Sequence, residues 1–242
     1  MFGRSKIAAL VAEFLGTGAL TLTIMSVEHS GIGYPLFVAA GAGLAMILLS
    51  FAVGDDSGGY FNPALTLGQW IIGKVSTITA IVYVGVELLG GWGAYYLYTY
   101  LVNNHLAAAG GHYTARILVA EAVGAGLFSF VFTATVYKGF SRAVTATFAG
   151  LGLMIGGLVA SAGALGLLNP AVALGVRAWV WGTYVAGPVI GAVVGALLYR
   201  IVFVESDEGF LPNFSMASFT TTEAVVVKPT TAAKKSTAKK KK

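Results

Sequence analysis

Six separate runs of mostly apolar sequence, at about residues 7–27, 35–53, 76–101, 114–137, 143–161 and 183–204, constrain this chain more than any other feature. Each is roughly long enough to cross a ~30 Å hydrocarbon core as a helix rising ~1.5 Å per residue. A helix is the form in which a single apolar run meets all its own backbone hydrogen bonds in lipid. With 57% hydrophobic residues, 10% charged ones and a mean hydropathy of +0.80, the chain has more apolar surface than one soluble core can hide. The expected fold class is therefore an all-α membrane protein with six transmembrane helices. The first run carries Glu13 and lacks a small-residue cleavage site, so it reads as a retained span rather than a signal peptide. The chain has no cysteine, which removes disulfides and thiolate metal sites from consideration, and no metal or cofactor is expected. Its 33 glycines suit helices that pack closely in lipid.

The charges between the runs set an orientation. Arg4 and Lys6 precede the first run, Lys74 the third, Lys138 and Arg142 separate the fourth from the fifth, and Arg200 closes the sixth. Alternating spans put all of these on one side. The other side carries Glu28, His29, His105 and His112, with Arg116 and Arg177 as its permanent cations. An excess of Lys and Arg marks the cytoplasmic face, so both termini of this integral membrane protein are expected in the cytoplasm, with the cell membrane as its location. Residues 205–242 lose the hydropathy and end in "KKSTAKKKK", which reads as a disordered basic cytoplasmic tail. Its seven lysines are either simply solvated or held to anionic headgroups of membrane lipid. Nucleic acid is not expected as a partner of a chain tethered in this way.

The chain also repeats itself. "VAEFLGTGAL" from Val11 matches "VAEAVGAGLF" from Val119, which sets Glu13 over Glu121. "FNPALTLGQW" from Phe61 matches "LNPAVALGVRAW" from Leu168, which sets Asn62 over Asn169, 107 residues on. "AGAGLAM" answers "AGLGLM" ahead of each motif, and Tyr83 answers Tyr184. Residues 1–204 thus form one domain of two units, about 7–101 and 114–204. An odd number of spans per unit inverts the second copy in the membrane, an arrangement common in channels and transporters with the site near the midplane.

The repeated motif falls where a full span cannot fit. Residues 62–73 and 169–180 each allow only about three helical turns, enough to enter the membrane from opposite faces and stop. Asn-Pro is a natural helix start, since Asn caps free N–H groups and Pro tolerates the first helical position. The expected fold is therefore six spans plus two re-entrant half-helices opening at Asn62, Pro63, Ala64 and at Asn169, Pro170, Ala171. Their N-termini would meet at the midplane and together disfavour cations. The amides of Asn62 and Asn169 would stay free to donate to a passing oxygen, which water or a hydroxyl supplies. Loops 54–61 and 162–168 would line a water-filled cavity.

At these motifs the chain resembles the major intrinsic protein family, the aquaporins and aquaglyceroporins. The resemblance covers about residues 7–204 and includes both "NPA" motifs, both "AE" helix starts and the "AGP" at Ala186. It implies a homotetramer with one pore per protomer and passive movement of water or small neutral solutes. It also implies that Asn62 and Asn169 are the paired pore asparagines, and that Glu13 and Glu121 hydrogen-bond the re-entrant loops. Glu87 is an extra intramembrane acid where relatives usually carry Gln, either a protonated substitute for it or a pH sensor.

The departure from the family lies at its selectivity filter, usually four positions including an Arg three residues after the second Asn. By spacing from the two asparagines these positions are Ala42, Gly157, Gly166 and Val172. Without a guanidinium or rings, the constriction is expected to be wide and weakly selective, open to glycerol-like solutes and exposed to proton or cation leak. Arg177 is weighed as a displaced filter cation and as an interfacial anchor beside Trp179 and Trp181, the latter preferred. Ala173 replaces the Asp many glycerol channels carry. Other function classes are a coupled secondary transporter, for which Glu87 is the best support, and a non-conducting structural member. Asp55 and Asp56 read as a loop pair capping turns or facing cytosol, and no residue spacing suggests an enzyme.

Overall fold

The computed structural model describes residues 4–204, so the basic tail read at 205–242 lies outside the described residues. Eight α-helices follow in order: α1 (Arg4–Glu28), α2 (Pro35–Ser57), α3 (Pro63–Ile71), α4 (Thr77–Val102), α5 (Ala115–Lys138), α6 (Arg142–Ala160), α7 (Pro170–Gly175) and α8 (Ala186–Phe203). A π-helical turn, Trp181–Val185, leads directly into α8. Six of these segments are long and apolar enough to cross a membrane, and α3 and α7 are not. The six spans and two half-helices expected from the sequence are all present.

Local chemistry sets the ends. Ser76 Oγ accepts from the Thr79 N–H at 3.2 Å to open α4, and Thr114 Oγ1 does the same for Ile117 at 3.2 Å to open α5. Three boundaries differ from the sequence reading. The second span was expected to stop at residue 53 but continues to Ser57, because the left-handed stop falls at Gly58 (φ 103°). Asp55 and Asp56 therefore sit in the last turn of α2 rather than in a loop, and Asp55 pairs with Arg142 at the start of α6. The last span begins at Trp181 rather than 183. Pro188 has no N–H to give the Tyr184 carbonyl and its ring crowds that group, so the turn before it widens to π.

The third difference is the second half-helix, expected over 169–180 and ending at Gly175. Arg177 adopts a left-handed φ of 58° and the Ala178 N–H returns to the Ala173 carbonyl at 2.8 Å, which closes the helix one turn earlier than its partner. In α3 the corresponding left-handed stop is Gly73 (φ 78°), eleven residues past its Asn rather than eight.

Packing follows the repeat. Helix α1 lies on α4 and α5 on α8. A β-carbon at Gly18 would lie 3.3 Å from the Gly90 carbonyl oxygen, and one at Gly126 would lie 3.2 Å from that of Gly191. Both helix pairs thus cross glycine on glycine at repeat-related positions. Helices α2 and α6 cross at Gly43 and Gly150, which match one another in the repeat, so this crossing lies on the pseudo-twofold axis. Backbone contact of this kind drives helix association where lipid gives no hydrophobic drive. Each half-helix then rests on the other unit's last span, α3 on α8 and α7 on α4. A β-carbon at Gly91 would meet the Ala171 oxygen at 2.1 Å, so glycine there is what lets α7 seat against α4.

Candidate functional site

The two half-helices begin at matched caps. Asn62 is extended (φ −161°) and its Oδ1 accepts from the Ala64 N–H at 2.9 Å. Asn169 (φ −146°) accepts from Ala171 at 2.9 Å and Val172 at 3.3 Å. Proline occupies the first helical position of both, where its missing N–H leaves nothing unsatisfied. The asparagines are almost fully buried, 2% and 1% exposed.

Their amides are not wholly free. Asn62 Nδ2 donates to the Leu168 carbonyl at 2.9 Å, and Asn169 Nδ2 donates to the Phe61 carbonyl at 2.8 Å. Each asparagine therefore commits one amide hydrogen to the residue preceding the other asparagine, which corrects the expectation of free N–H₂ groups. One hydrogen remains per amide. The reciprocal bonds tie the two half-helix mouths together across the pseudo-twofold.

Phe61 and Leu168 make this possible and escaped the sequence reading. Both have left-handed backbones, φ 49° and 55°, which turn their carbonyls toward the opposite loop. A non-glycine residue in that region costs roughly 1–2 kcal/mol, so the surrounding contacts must hold it. Their side chains are fully buried, each against a glycine three residues after a conserved-in-repeat glutamate: a β-carbon at Gly16 would lie 2.3 Å from the Phe61 ring, and one at Gly124 2.7 Å from a Leu168 methyl. The available signal was that Gly16 and Gly124 match in the repeat.

Three buried acids hold the loops from behind. Glu13 accepts from the Tyr60 N–H at 3.0 Å and the Phe61 N–H at 2.6 Å. Glu121 accepts from Gly166 at 2.8 Å, Leu167 at 3.1 Å and Leu168 at 2.7 Å. Glu87 accepts from the Thr66 hydroxyl at 2.6 Å and the Asn62 N–H at 3.3 Å. All three are 0% exposed. They satisfy loop N–H groups that helices α3 and α7 cannot reach, as buried backbone donors require.

At the four filter positions the chain is small or packed away. Ala42 is buried and Val172 has no exposed surface, its N–H held by the Asn169 cap. Gly157 and Gly166 face one another, since a β-carbon at Gly166 would lie 2.5 Å from the Gly157 carbonyl oxygen. Two of the four small residues thus serve backbone contact between α6 and the loop before α7. Arg177 is no substitute filter cation: past the end of α7, its guanidinium donates to the Leu106 carbonyl and its own carbonyl accepts from the Ala109 N–H at 3.1 Å. These two bonds fasten the 103–114 loop to the end of α7. Trp179 and Trp181 stack edge to face beside it, with centroids 5.1 Å apart.

The model for the family described as "Major intrinsic protein" matches residues 3–199. The chain belongs to that family. It is 30% identical over 218 residues to aquaporin TIP2-1 of Arabidopsis thaliana, covering 84% of this chain and 86% of that one. It is 27% identical over 229 residues to aquaporin Z of Photorhabdus laumondii, covering 82% and 98%. Its fold superposes on the X-ray structure of the aquaglyceroporin from Plasmodium falciparum with a TM-score of 0.70, at 20% identity, covering 81% of this chain and 96% of that one. A major intrinsic protein with six apolar spans is an integral membrane channel for water or small solutes.

Proposed function

We propose that this major intrinsic protein is a passive pore for water and small uncharged solutes such as glycerol, narrowest beside Ala42, Gly157, Gly166 and Val172. The carrying observation is the pairing of Asn62 and Asn169, each with one amide hydrogen left for a passing oxygen, next to a filter ring without a cation or an aromatic side chain. Neutral hydroxyls can exchange hydration for those donors at little cost, whereas an ion cannot shed its shell among alkyl groups. Breadth of selectivity rests on the missing Arg and rings at Ala42 and Val172, since Gly157 and Gly166 are occupied with each other. The same reading takes four copies to form a homotetramer with both termini cytoplasmic. The pairing of Asp55 with Arg142 supports that topology by bringing the end of α2 and the start of α6 to one face.

Stopped-flow light scattering on proteoliposomes tests the solute range. Wild type is expected to pass water and glycerol above empty liposomes, and Val172→Arg to cut glycerol flux about tenfold or more, a barrier change of ~1.4 kcal/mol, while passing water. Water flux with neither glycerol nor urea flux in the wild type would refute the permissive filter.

A further inference from the structure

The loop before Asn62 is supported by two acids, whereas the loop before Asn169 is supported by one. Tyr184 answers Tyr83, and four residues beyond each stand Pro188 and Glu87, so the second unit has no counterpart to this carboxyl group. Glu13 and Glu87 converge on one point of the loop, taking the N–H groups of the adjacent residues Phe61 and Asn62. Glu13 takes one backbone N–H on each oxygen, from Tyr60 and Phe61, and keeps lone pairs for a further donor. Glu87 Oε1 is filled by Thr66 and Asn62, but Glu87 Oε2 is buried with no donor.

Two carboxylates cannot share such a place while both are ionised. The ionisable groups around Glu87 are Glu13 on α1 and Tyr83 on its own helix, with Tyr60 packed against Tyr83, while α3 and α7, also packed against α4, carry none. Neither α3 nor α7 brings a Lys, Arg or His to take up a second negative charge. Two backbone donors point at Glu13, at 3.0 and 2.6 Å, and one longer one, the Asn62 N–H at 3.3 Å, at Glu87, which makes Glu13 the ionised partner and Glu87 the acid.

We propose that Glu87 is a neutral, protonated positioning residue whose Oε2–H donates to the Glu13 carboxylate, while its Oε1 holds the Asn62 N–H and the Thr66 hydroxyl. One shared proton then joins α1, α4 and the start of α3 behind the first pore asparagine. In this arrangement every donor and acceptor in the cluster is used, and the pair carries a single negative charge. Glu87 touches no solute; it acts through Asn62. The inference concerns the support of that residue and holds whichever solutes pass.

Infrared difference spectroscopy tests it on the full chain in ester-free detergent, isotope-labelled at the glutamate side-chain carboxyl. Wild type at neutral pH should show the labelled carbonyl stretch of a protonated acid, and Glu87→Gln should lose it. Glutamine can reproduce both halves of the role, donating to Glu13 and accepting from Asn62, so Glu87→Gln should keep water permeability within about twofold of wild type. Glu87→Leu leaves the Asn62 N–H and Thr66 hydroxyl unpaired and should fall about tenfold or more. The proposal is overturned if Glu87→Gln removes no acid band, if Glu87→Gln loses as much permeability as Glu87→Leu, or if the wild-type band appears only when sodium and potassium are replaced by choline, which would place an alkali cation where the proton is drawn.

Discussion

The two loops that precede Asn62 and Asn169 have the same backbone and different support. Gly59 and Gly166 have φ of 67° and 71°, and Phe61 and Leu168 have 49° and 55°, so the chain draws the same curve twice. In the second loop all three N–H groups from Gly166 to Leu168 converge on Glu121. In the first, the Gly59 N–H goes to the Ser57 hydroxyl at 3.1 Å, Glu13 takes the Tyr60 and Phe61 N–H groups, and Glu87 adds the Asn62 N–H. One loop puts three N–H groups on a single acid, and the other divides its support among two acids and a hydroxyl. Identical geometry therefore does not imply equal fragility, because a single anchor concentrates the loss when it is removed.

The sharpest way to break this comparison is to remove the acids. Glu121→Ala strands three N–H groups, two buried and one half-buried, at about 1–3 kcal/mol for each buried one, enough to consume much of a typical folding margin. We expect little folded protein and no water flux. Glu13→Ala strands two and leaves Glu87 and Ser57 in place, so folded protein should be recovered, with a lowered melting temperature read by tryptophan fluorescence. Equal loss in both variants, or a worse outcome for Glu13→Ala, would show that the supports do not share load as described.

A smaller effect separates the two left-handed glycines. Gly59→Ala meets strain from φ and a contact 3.2 Å from the Gly54 α-carbon. Gly166→Ala meets the same strain and the Gly157 carbonyl oxygen at 2.5 Å, which backbone must move to relieve. The common strain is about 1 kcal/mol, and the added backbone shift should make Gly166→Ala the costlier by a further ~1–3 kcal/mol. Denaturation midpoints in one detergent would measure the difference. A match between the two would mean that the loop and α6 can separate freely at the filter.

Much of this was legible beforehand because repetition is itself a constraint. Six apolar runs and two Asn-Pro starts predicted the spans and half-helices, and the family resemblance implied that Glu13 and Glu121 stand behind both loops. The failures share a cause. Repeat logic gave both half-helices the same length, yet α7 stops early because Arg177 takes a left-handed conformation that its residue type does not advertise. The same holds for Phe61 and Leu168, whose carbonyls receive the asparagine amides. The close approach of Gly157 and Gly166 was not legible either, because sequence alone cannot tell a glycine that opens a passage from one that lets backbones touch.

The two half-helix ends give the smallest and most discriminating test. Helix α3 stops at Gly73, where a left-handed φ carries no steric penalty, while α7 stops at Arg177, where it does. What Arg177 gains in return is the guanidinium bond to Leu106, and Leu106 itself is buried. Arg177→Ala loses that bond and keeps the strain, so it should destabilise by about 1 kcal/mol, the ordinary net worth of such a bond. Arg177→Gly loses the same bond and relieves the strain, and the two effects, each ~1 kcal/mol, should nearly cancel. Water permeability should be unchanged in both, because neither residue reaches Asn169. The expected signature is therefore a lower melting temperature for alanine than for glycine with equal flux, and a glycine variant no more stable than the alanine one would show that the bond to Leu106 is not what holds Arg177 in its left-handed turn.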